Sequence, residues 1–147
     1  MNTIRITKEF RFEAAHALTG YDGTCRYIHG HSYLLFVTIK GKPNDQAGNP
    51  KDGMVMDFGA LKELVNQLII EPFDHALLMR NDAPLATVLK EHYQKVWALP
   101  FQPTCEHLCL HFARLLAPAI PKPATLFSIR LHETSSSFAE WFATDNL

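Results

Sequence analysis

Two long segments of this chain alternate apolar and polar residues with a period of two, which is the pattern of half-buried β-strands. In residues 4–16, the apolar parity includes Ile4, Ile6, Phe10, Phe12 and Ala14 and ends at His16. In residues 29–40, the apolar parity begins with His29 and His31. Both segments are therefore predicted to be antiparallel strands, with three imidazoles facing the side on which the core forms.

Two amphipathic segments follow and predict helices. Asp57 fits the N-cap position of the first helix, which is expected to run to about Ile70 and to end at Pro72. Thr104 is expected to open the second helix after a proline.

The C-terminal part of the chain predicts two more strands, at residues 125–133 and 138–144. In the first of them one parity holds Phe127, Ile129, Leu131 and Glu133. Residues 81–102 are harder to assign; they suggest a short helix at Leu85–His92 and a strand at Tyr93–Ala98.

The order of strands and helices predicts an α+β fold, with two helices across one face of a four-stranded antiparallel sheet. A length of 147 residues predicts one domain, residues 1–147. The net charge of −1 and the lack of a basic stripe argue against nucleic acid as a partner. No apolar run approaches the roughly 18 residues of a membrane span. Three cysteines and no recognisable signal peptide predict reduced thiols in the cytoplasm.

The spacing of the histidines predicts a metal site. Residues two apart on a strand point the same way, so His29 and His31 form a pair, and the in-phase His16 supplies a third imidazole. Three imidazoles with an open fourth position are typical of catalytic zinc. Taken alone, each histidine is better explained by a role without metal; the shared phase of all three favours the ion.

Cys25 lies four residues before His29 and is a candidate base or nucleophile beside the metal. Two alternatives remain open at this point. The cysteine could be an inert buried thiol, or it could be a fourth zinc ligand that closes the site and makes it structural.

Five further polar residues have both a chemical and a structural interpretation. Asp74 and His75 could form an orienting carboxylate–imidazole pair, although adjacent residues cooperate only if the backbone turns. Glu133 falls on the side of its strand that should be buried, where a carboxylate needs a partner. From the residues alone, Thr104 and Glu106 are better explained as a helix cap and an acid in the first helical turn.

The chain resembles the 6-pyruvoyltetrahydropterin synthase and 6-carboxytetrahydropterin synthase family over nearly its whole length. The resemblance rests on these segments: Phe12-Glu13-Ala14-Ala15-His16, Cys25-x-x-x-His29-Gly30-His31, Gly53-Met54-Val55-Met56-Asp57-Phe58-Gly59, Phe73-Asp74-His75, Pro103-Thr104-Cys105-Glu106 and Glu133-Thr134. It implies the tunnelling fold (T-fold), in which three subunits join their sheets into a barrel and two trimers stack into a hexamer.

The resemblance also implies residue roles. The zinc ligands would be His16, His29 and His31. Cys25 would be the general base, and Asp74 with His75 would complete a proton relay from the same or a neighbouring subunit.

For the substrate, the resemblance implies 7,8-dihydroneopterin triphosphate, with Glu133 anchoring the pterin ring and Thr104 and Glu106 lining the pocket. It favours a 6-carboxy-5,6,7,8-tetrahydropterin synthase of queuosine biosynthesis, which releases acetaldehyde and triphosphate. A 6-pyruvoyltetrahydropterin synthase is the alternative within the family. A non-catalytic, zinc-stabilised binding module is the alternative from another class.

Overall fold

The structure, a computed structural model, describes residues 2–147, and these contain one six-stranded mixed sheet. The strands are β1 (Ile4–His16), β2 (His29–Gly41), β3 (Ala76–Arg80), β4 (Val96–Leu99), β5 (Thr125–His132) and β6 (Phe138–Phe142). They lie in the order β4-β3-β1-β2-β5-β6. The four predicted strands form the antiparallel part, whereas β3 pairs in parallel with β1 and β4 in parallel with β3. The α+β class is confirmed, and the predicted count of four strands is corrected to six.

Four α-helices accompany the sheet within residues 2–147. They are α1 (Phe58–Val65), α2 (Glu71–Phe73), α3 (Ala86–His92) and α4 (Cys105–Leu116). Their sequences are too short or too polar for any of them to cross a bilayer. The Asp57 carboxylate caps α1 by accepting from the Gly59 N–H, as predicted.

The sequence suggested that the first helical region ends at Pro72, but in the structure it continues past this residue. After α1 the chain widens into a π-helical turn at Asn66–Ile70 and then continues as α2. Pro72 lies in the first turn of α2 and supplies no N–H, whereas the Glu71 N–H just before it donates to the Asn66 carbonyl across the widened turn. The extra turn delivers Asp74 to the start of β3.

The two long strands have the faces that their period predicts. They pair along their whole length, with Ala14 opposite His31 and His16 opposite His29. From Phe10 on β1 and Tyr33 on β2, the side chains of the apolar parity are buried in the main core with residues of α1 and α4, and full burial of one such residue, for example Leu35, contributes about 1.5–3 kcal/mol. The imidazoles therefore stand at the end of the β1–β2 core, on the helix-covered face of the sheet.

The two predicted helices, α1 and α4, pack on one face of the sheet as expected, and the additional short helix α3 packs on the other face. Side chains of β3 alternate between two clusters: Ala76 and Leu78 belong to the main core, whereas Met79 belongs to a second cluster that contains Ala86 of α3. Because successive strand residues point to opposite faces, α3 must lie across the sheet from α1 and α4. We call the α3 side of the sheet the open face.

The period of β5 suggested that Phe127 shares a face with Ile129 and Leu131, but in the structure it does not. Thr38 pairs with Ser128 but Ile39 pairs with Leu126, so Phe127 is an extra residue in a β-bulge. The bulge turns Phe127 out of the core and brings its ring 3.9 Å from the Arg5 guanidinium carbon. Beyond the bulge the predicted phase holds, and Leu131 is fully buried.

Candidate metal centre and active site

The three predicted ligands converge at the end of β1 and β2. One ligand nitrogen from each of His16, His29 and His31 lies within 4.8 Å of the other two. The Nε2 atoms of His16 and His29 are 3.0 Å apart. Nitrogens bound to one tetrahedral zinc ion at about 2.0–2.1 Å lie roughly 3.4 Å from each other, so the spacing suits such an ion.

Hydrogen bonds at the opposite ring nitrogens fix the tautomers. Nδ1 of His16 lies 2.7 Å from the Pro103 carbonyl oxygen, and Nδ1 of His29 lies 2.7 Å from the Tyr27 carbonyl oxygen. A carbonyl oxygen only accepts, so both Nδ1 atoms carry the proton and both neutral rings direct an Nε2 lone pair into the centre. Two lone pairs at 3.0 Å repel unless a cation lies between them. The donor set therefore fits a metal ion.

Burial favours the neutral, metal-binding form of the ligands. Burial lowers the pKa of His16, against the opposing effects of the Pro103 carbonyl and the Glu133 charge. Burial likewise lowers the pKa of His31. Within residues 2–147, the buried Nε2 of His31 has no hydrogen-bond partner, a cost that a bound cation would remove.

Glu133 lies directly beside the imidazoles, one residue after β5 ends. Its Oε1 is 3.4 Å from Nε2 of His16 and 3.4 Å from Nε2 of His31. The predicted phase is correct, because the carboxylate points to the same side of the sheet as Leu131. Its side chain is 26% exposed, so it is open to a ligand from solvent while facing the metal-binding nitrogens.

Cys25 occupies a short 3-10 turn, Thr24–Arg26, in the connection between β1 and β2. Its backbone carbonyl accepts from the Leu18 N–H at 2.9 Å, which folds the connection back toward the end of β1. The thiol is half-buried and free, and it is not one of the three converging metal ligands. Among the residues that the structure describes, Cys25 therefore does not join the imidazoles as a fourth converging ligand.

Asp74 and His75 are brought together by the turn that their cooperation requires. Nδ1 of His75 lies 3.0 Å from Oδ2 of Asp74, and the Glu13 N–H donates to Oδ1 of Asp74 at 2.8 Å. The Glu13 N–H bond, aided by His75, holds the pKa of Asp74 below its usual value. His75 has a φ of +62°, a left-handed conformation that costs a non-glycine residue about 1–3 kcal/mol.

The His75 side chain is 75% exposed and lines a cavity of about 590 Å³ between α3 and the open face, and His31 is among the other residues that border this cavity. The floor of that cavity includes Ala15 and Gly30, and one wall includes Glu13, whose carboxylate accepts from Ser32 at 2.7 Å. The imidazole trio and the Asp74–His75 pair therefore flank β1 from opposite faces, and no hydrogen bond or ion pair joins them within residues 2–147.

The residues at the start of α4 have the contacts that a purely structural role predicts. The Thr104 hydroxyl accepts from the His107 N–H at 3.2 Å and caps the helix. Glu106 is exposed in the first turn, where its charge suits the helix dipole. Their predicted contact with substrate stays a prediction.

The comparisons with known proteins agree with this geometry. A family profile described as 6-pyruvoyl tetrahydropterin synthase matches residues 5–143. The chain belongs to this family. The family resemblance that the motifs indicated is therefore confirmed.

Relatives of this synthase family match over almost their full length. A protein of Haemophilus influenzae named 6-carboxy-5,6,7,8-tetrahydropterin synthase is 36% identical over 141 residues, which cover 93% of this chain and 97% of that protein. A solved structure of an uncharacterized protein from Wolinella succinogenes has a TM-score of 0.82 at 22% identity, with 97% and 99% of the two chains covered. The 6-pyruvoyl tetrahydropterin synthase of Caenorhabditis elegans has a TM-score of 0.72 at 21% identity, with 97% of each chain covered. These structures confirm the T-fold of the single chain.

Sequence patterns missed several groups that shape the site. The carbonyls of Pro103 and Tyr27 orient two imidazoles, but a backbone acceptor leaves no signature in side-chain chemistry. The proximity of Glu133 to the imidazoles was also missed, although both lie on buried parities of β2 and β5, which are neighbours in the sheet. A predicted pairing of those two strands would have brought them together.

Proposed function

We propose that the chain is a zinc-dependent 6-carboxy-5,6,7,8-tetrahydropterin synthase. It would convert 7,8-dihydroneopterin triphosphate and water to 6-carboxytetrahydropterin, acetaldehyde and triphosphate, a step of queuosine biosynthesis. Family membership and the name of the Haemophilus influenzae relative support the reaction. The observation that carries the proposal is the 3.0 Å distance between Nε2 of His16 and Nε2 of His29, next to the imidazole of His31; within residues 2–147 the converging group consists of these three side chains.

The site residues have complementary roles in this proposal. The residues His16, His29 and His31 hold zinc, which when bound supplies Lewis acidity toward the hydroxyls of the substrate side chain. Cys25, as a thiolate, removes the proton next to those hydroxyls. His75 relays the proton, and Asp74 keeps the ring in one tautomer by accepting from its Nδ1–H.

Glu133 is the proposed anchor for the pterin. An ionised carboxylate accepts two hydrogen bonds at once, and the pterin ring offers a ring N–H beside an exocyclic amine. From its position near the imidazoles, the anchor would hold the ring so that the substrate side chain extends toward the metal. Thr104 and Glu106 would line the same pocket.

A second copy of the chain would complete the site. The imidazoles and the Asp74–His75 pair lie on opposite faces of one sheet, so a single chain does not direct both groups at one substrate molecule. We propose a homo-oligomer, a hexamer formed from two trimers, in which one subunit supplies the metal and its neighbour supplies the pair. A cytoplasmic location stays a prediction from the cysteine content.

The test is the identity of the product. Purified, zinc-loaded protein would be mixed with 7,8-dihydroneopterin triphosphate, and the products would be separated by chromatography with mass detection. Release of acetaldehyde with 6-carboxytetrahydropterin supports the proposal. A product that keeps a diketo side chain would instead identify a 6-pyruvoyltetrahydropterin synthase, and unchanged substrate would contradict both.

Replacement of Cys25 separates catalysis from a structural zinc module. In the Cys25→Ala variant we expect zinc to remain bound while turnover falls by roughly 10²–10⁴-fold, the usual contribution of a general base. Loss of zinc and of folding in that variant would favour a closed Cys–His₃ structural site. Full turnover would exclude Cys25 as the base.

A further inference from the structure

The peptide unit between Asp74 and His75 is held at both ends. Its carbonyl oxygen accepts a hydrogen bond from Lys95 Nζ at 2.7 Å. Its N–H donates to the carbonyl oxygen of Glu13 on β1. Fixing both ends of a peptide plane fixes the ψ of the residue before it and the φ of the residue after it, and therefore the directions in which both side chains leave the backbone.

Side chains of Trp97 on β4 and of Lys95, the residue just before this strand, also bind carbonyls of Glu71 and Pro72. Lys95 Nζ donates to the Glu71 carbonyl at 2.7 Å, and Trp97 Nε1 donates to the Pro72 carbonyl at 2.8 Å. The last carbonyls of a helix have no intrahelical donors, and a lysine near a helix C-terminus is a common partner for them. Lys95 and Trp97 are two residues apart, so they face the same side and reach the end of α2 together.

The position of these donors is itself fixed by the sheet. The Leu77 N–H donates to the Lys95 carbonyl at 2.9 Å, and Leu77 pairs with Val96 where β3 and β4 run in parallel. The indole of Trp97 packs against the main core. We call residues 81–99, which form α3 and β4, the α3–β4 excursion. Two side chains near its end, Lys95 and Trp97, thus donate hydrogen bonds to the segment just before and within the turn that carries Asp74 and His75.

We propose that Lys95 and Trp97 are positioning residues for the Asp74–His75 pair, which would give the α3–β4 excursion a role in catalysis without substrate contact. This inference rests on the proposed function of that pair. The left-handed conformation of His75 persists only where its surroundings impose it. Without the ammonium of Lys95, the peptide plane keeps only the N–H bond to Glu13, so its carbonyl end can move and the direction of the imidazole is less tightly fixed.

The first test compares three variants of lysines on the same excursion. Lys95→Met keeps the length of the side chain but removes its donors, Lys95→Arg restores donors, and Lys90→Met is a control on α3 with no hydrogen bond or ion pair within residues 2–147. For Lys95→Met we expect kcat to fall roughly 10- to 100-fold, the scale of loss from a small displacement of a reacting group, with KM and zinc content little changed. Lys95→Arg should recover most of the loss, and Lys90→Met should match the wild type. An unchanged kcat in Lys95→Met would overturn the inference.

A double-mutant cycle distinguishes positioning from general destabilisation. If Lys95 acts only through the pair, Lys95→Met should cause no further loss of kcat in a His75→Gln background. An undiminished loss in that background would overturn the inference while leaving the proposed function intact. A His75→Gln variant with full activity would instead remove His75 from the proposed mechanism.

Hydrogen–deuterium exchange tests the contact without any assay of activity. The amides of Asp74 and His75 donate to the carbonyls of Ile70 and Glu13, so they should be protected from exchange. Lys95→Met should speed the exchange of these two amides selectively, and Lys90→Met should not. Equal exchange in both variants would contradict the proposed positioning of the turn by Lys95. If Lys95→Met does not fold, Trp97→Phe, which loses only the indole N–H donor and some area, replaces it in all three tests with the same criteria.

Discussion

The two groups that flank β1 are held in place by different physical means. The imidazole trio stands on regular strands beside the core, and His16 is only 1% exposed. The Asp74–His75 pair stands on a turn, with the His75 side chain 75% exposed and its backbone in a left-handed conformation. Strand register fixes the first group, whereas a few hydrogen bonds fix the second. Metal binding should therefore resist changes elsewhere, and the relay should be sensitive to them.

The largest effect should come from breaking the metal-binding group itself. His29→Ala removes one of three ligands at a partly exposed position, so the core should stay intact. We expect zinc binding to weaken by more than about 100-fold, since loss of a residue that merely orients a ligand already costs 10–100-fold. Metal analysis after dialysis against a chelator measures the loss, and His92→Ala on α3 is the control. Zinc retention equal to the wild type would remove His29 from the site.

The second prediction concerns the other side of the comparison. Asp74→Asn keeps the shape of the side chain but removes its charge. Turnover should fall about 100-fold because the orientation and tautomer of His75 are lost, while zinc content should not change. Steady-state kinetics and metal analysis on one preparation check both parts, with Asp145→Asn as the control. If zinc is lost as well, the two groups are not independent.

The third prediction tests whether the left-handed backbone of His75 stores strain, which the regular strands of the imidazole trio do not. Glycine adopts a positive φ without steric cost, whereas alanine does not. The His75→Gly variant should therefore unfold with a free energy about 1 kcal/mol higher than His75→Ala, even though glycine loses more entropy on folding. Urea unfolding of both variants measures the difference. Equal stability would mean that the turn does not store strain.

The smallest effect should be a dependence of stability on pH. His111 packs against Phe73, immediately before the turn, and burial together with Arg114 lowers its pKa below the ordinary value of 6.5. The unfolded chain therefore binds a proton more readily than the folded one, so stability falls as the pH drops through 6.5 toward the lower folded pKa. Urea midpoints at neutral and mildly acidic pH should differ less in His111→Gln than in the wild type. The exposed His92→Gln should not change that difference.

Local periodicity was enough to predict the half of the site that lies on regular strands. The alternation of β1 and β2 placed His16, His29 and His31 on one face, and pairing of the two strands did the rest. It failed at β3, because Ala76-Leu77-Leu78-Met79 is buried on both faces and has no alternation to detect. It also failed at Phe127, since a single inserted residue inverts the phase of a strand.

The half of the site that lies on a turn depends on contacts between distant residues. Nothing in the dipeptide Asp74-His75 shows that His75 takes a positive φ, because this conformation is imposed by Glu13 and Lys95, which lie 62 and 20 positions away in the sequence. The role of Lys95 was equally hidden, because a lysine that caps a helix from another strand has no local pattern. Family resemblance supplied the chemical assignment of this pair, and only the structure supplied its mechanical support.

One hydrogen bond ties the metal centre to the beginning of α4. The Pro103 carbonyl that accepts from His16 immediately precedes the residue that caps this helix. A bound molecule that tilts the first turn of α4 would lengthen that hydrogen bond. The longer bond would change the electron density on Nε2 of His16. With cobalt bound at the proposed metal site, the absorption spectrum should then change when a molecule contacts the helix without contacting the ion.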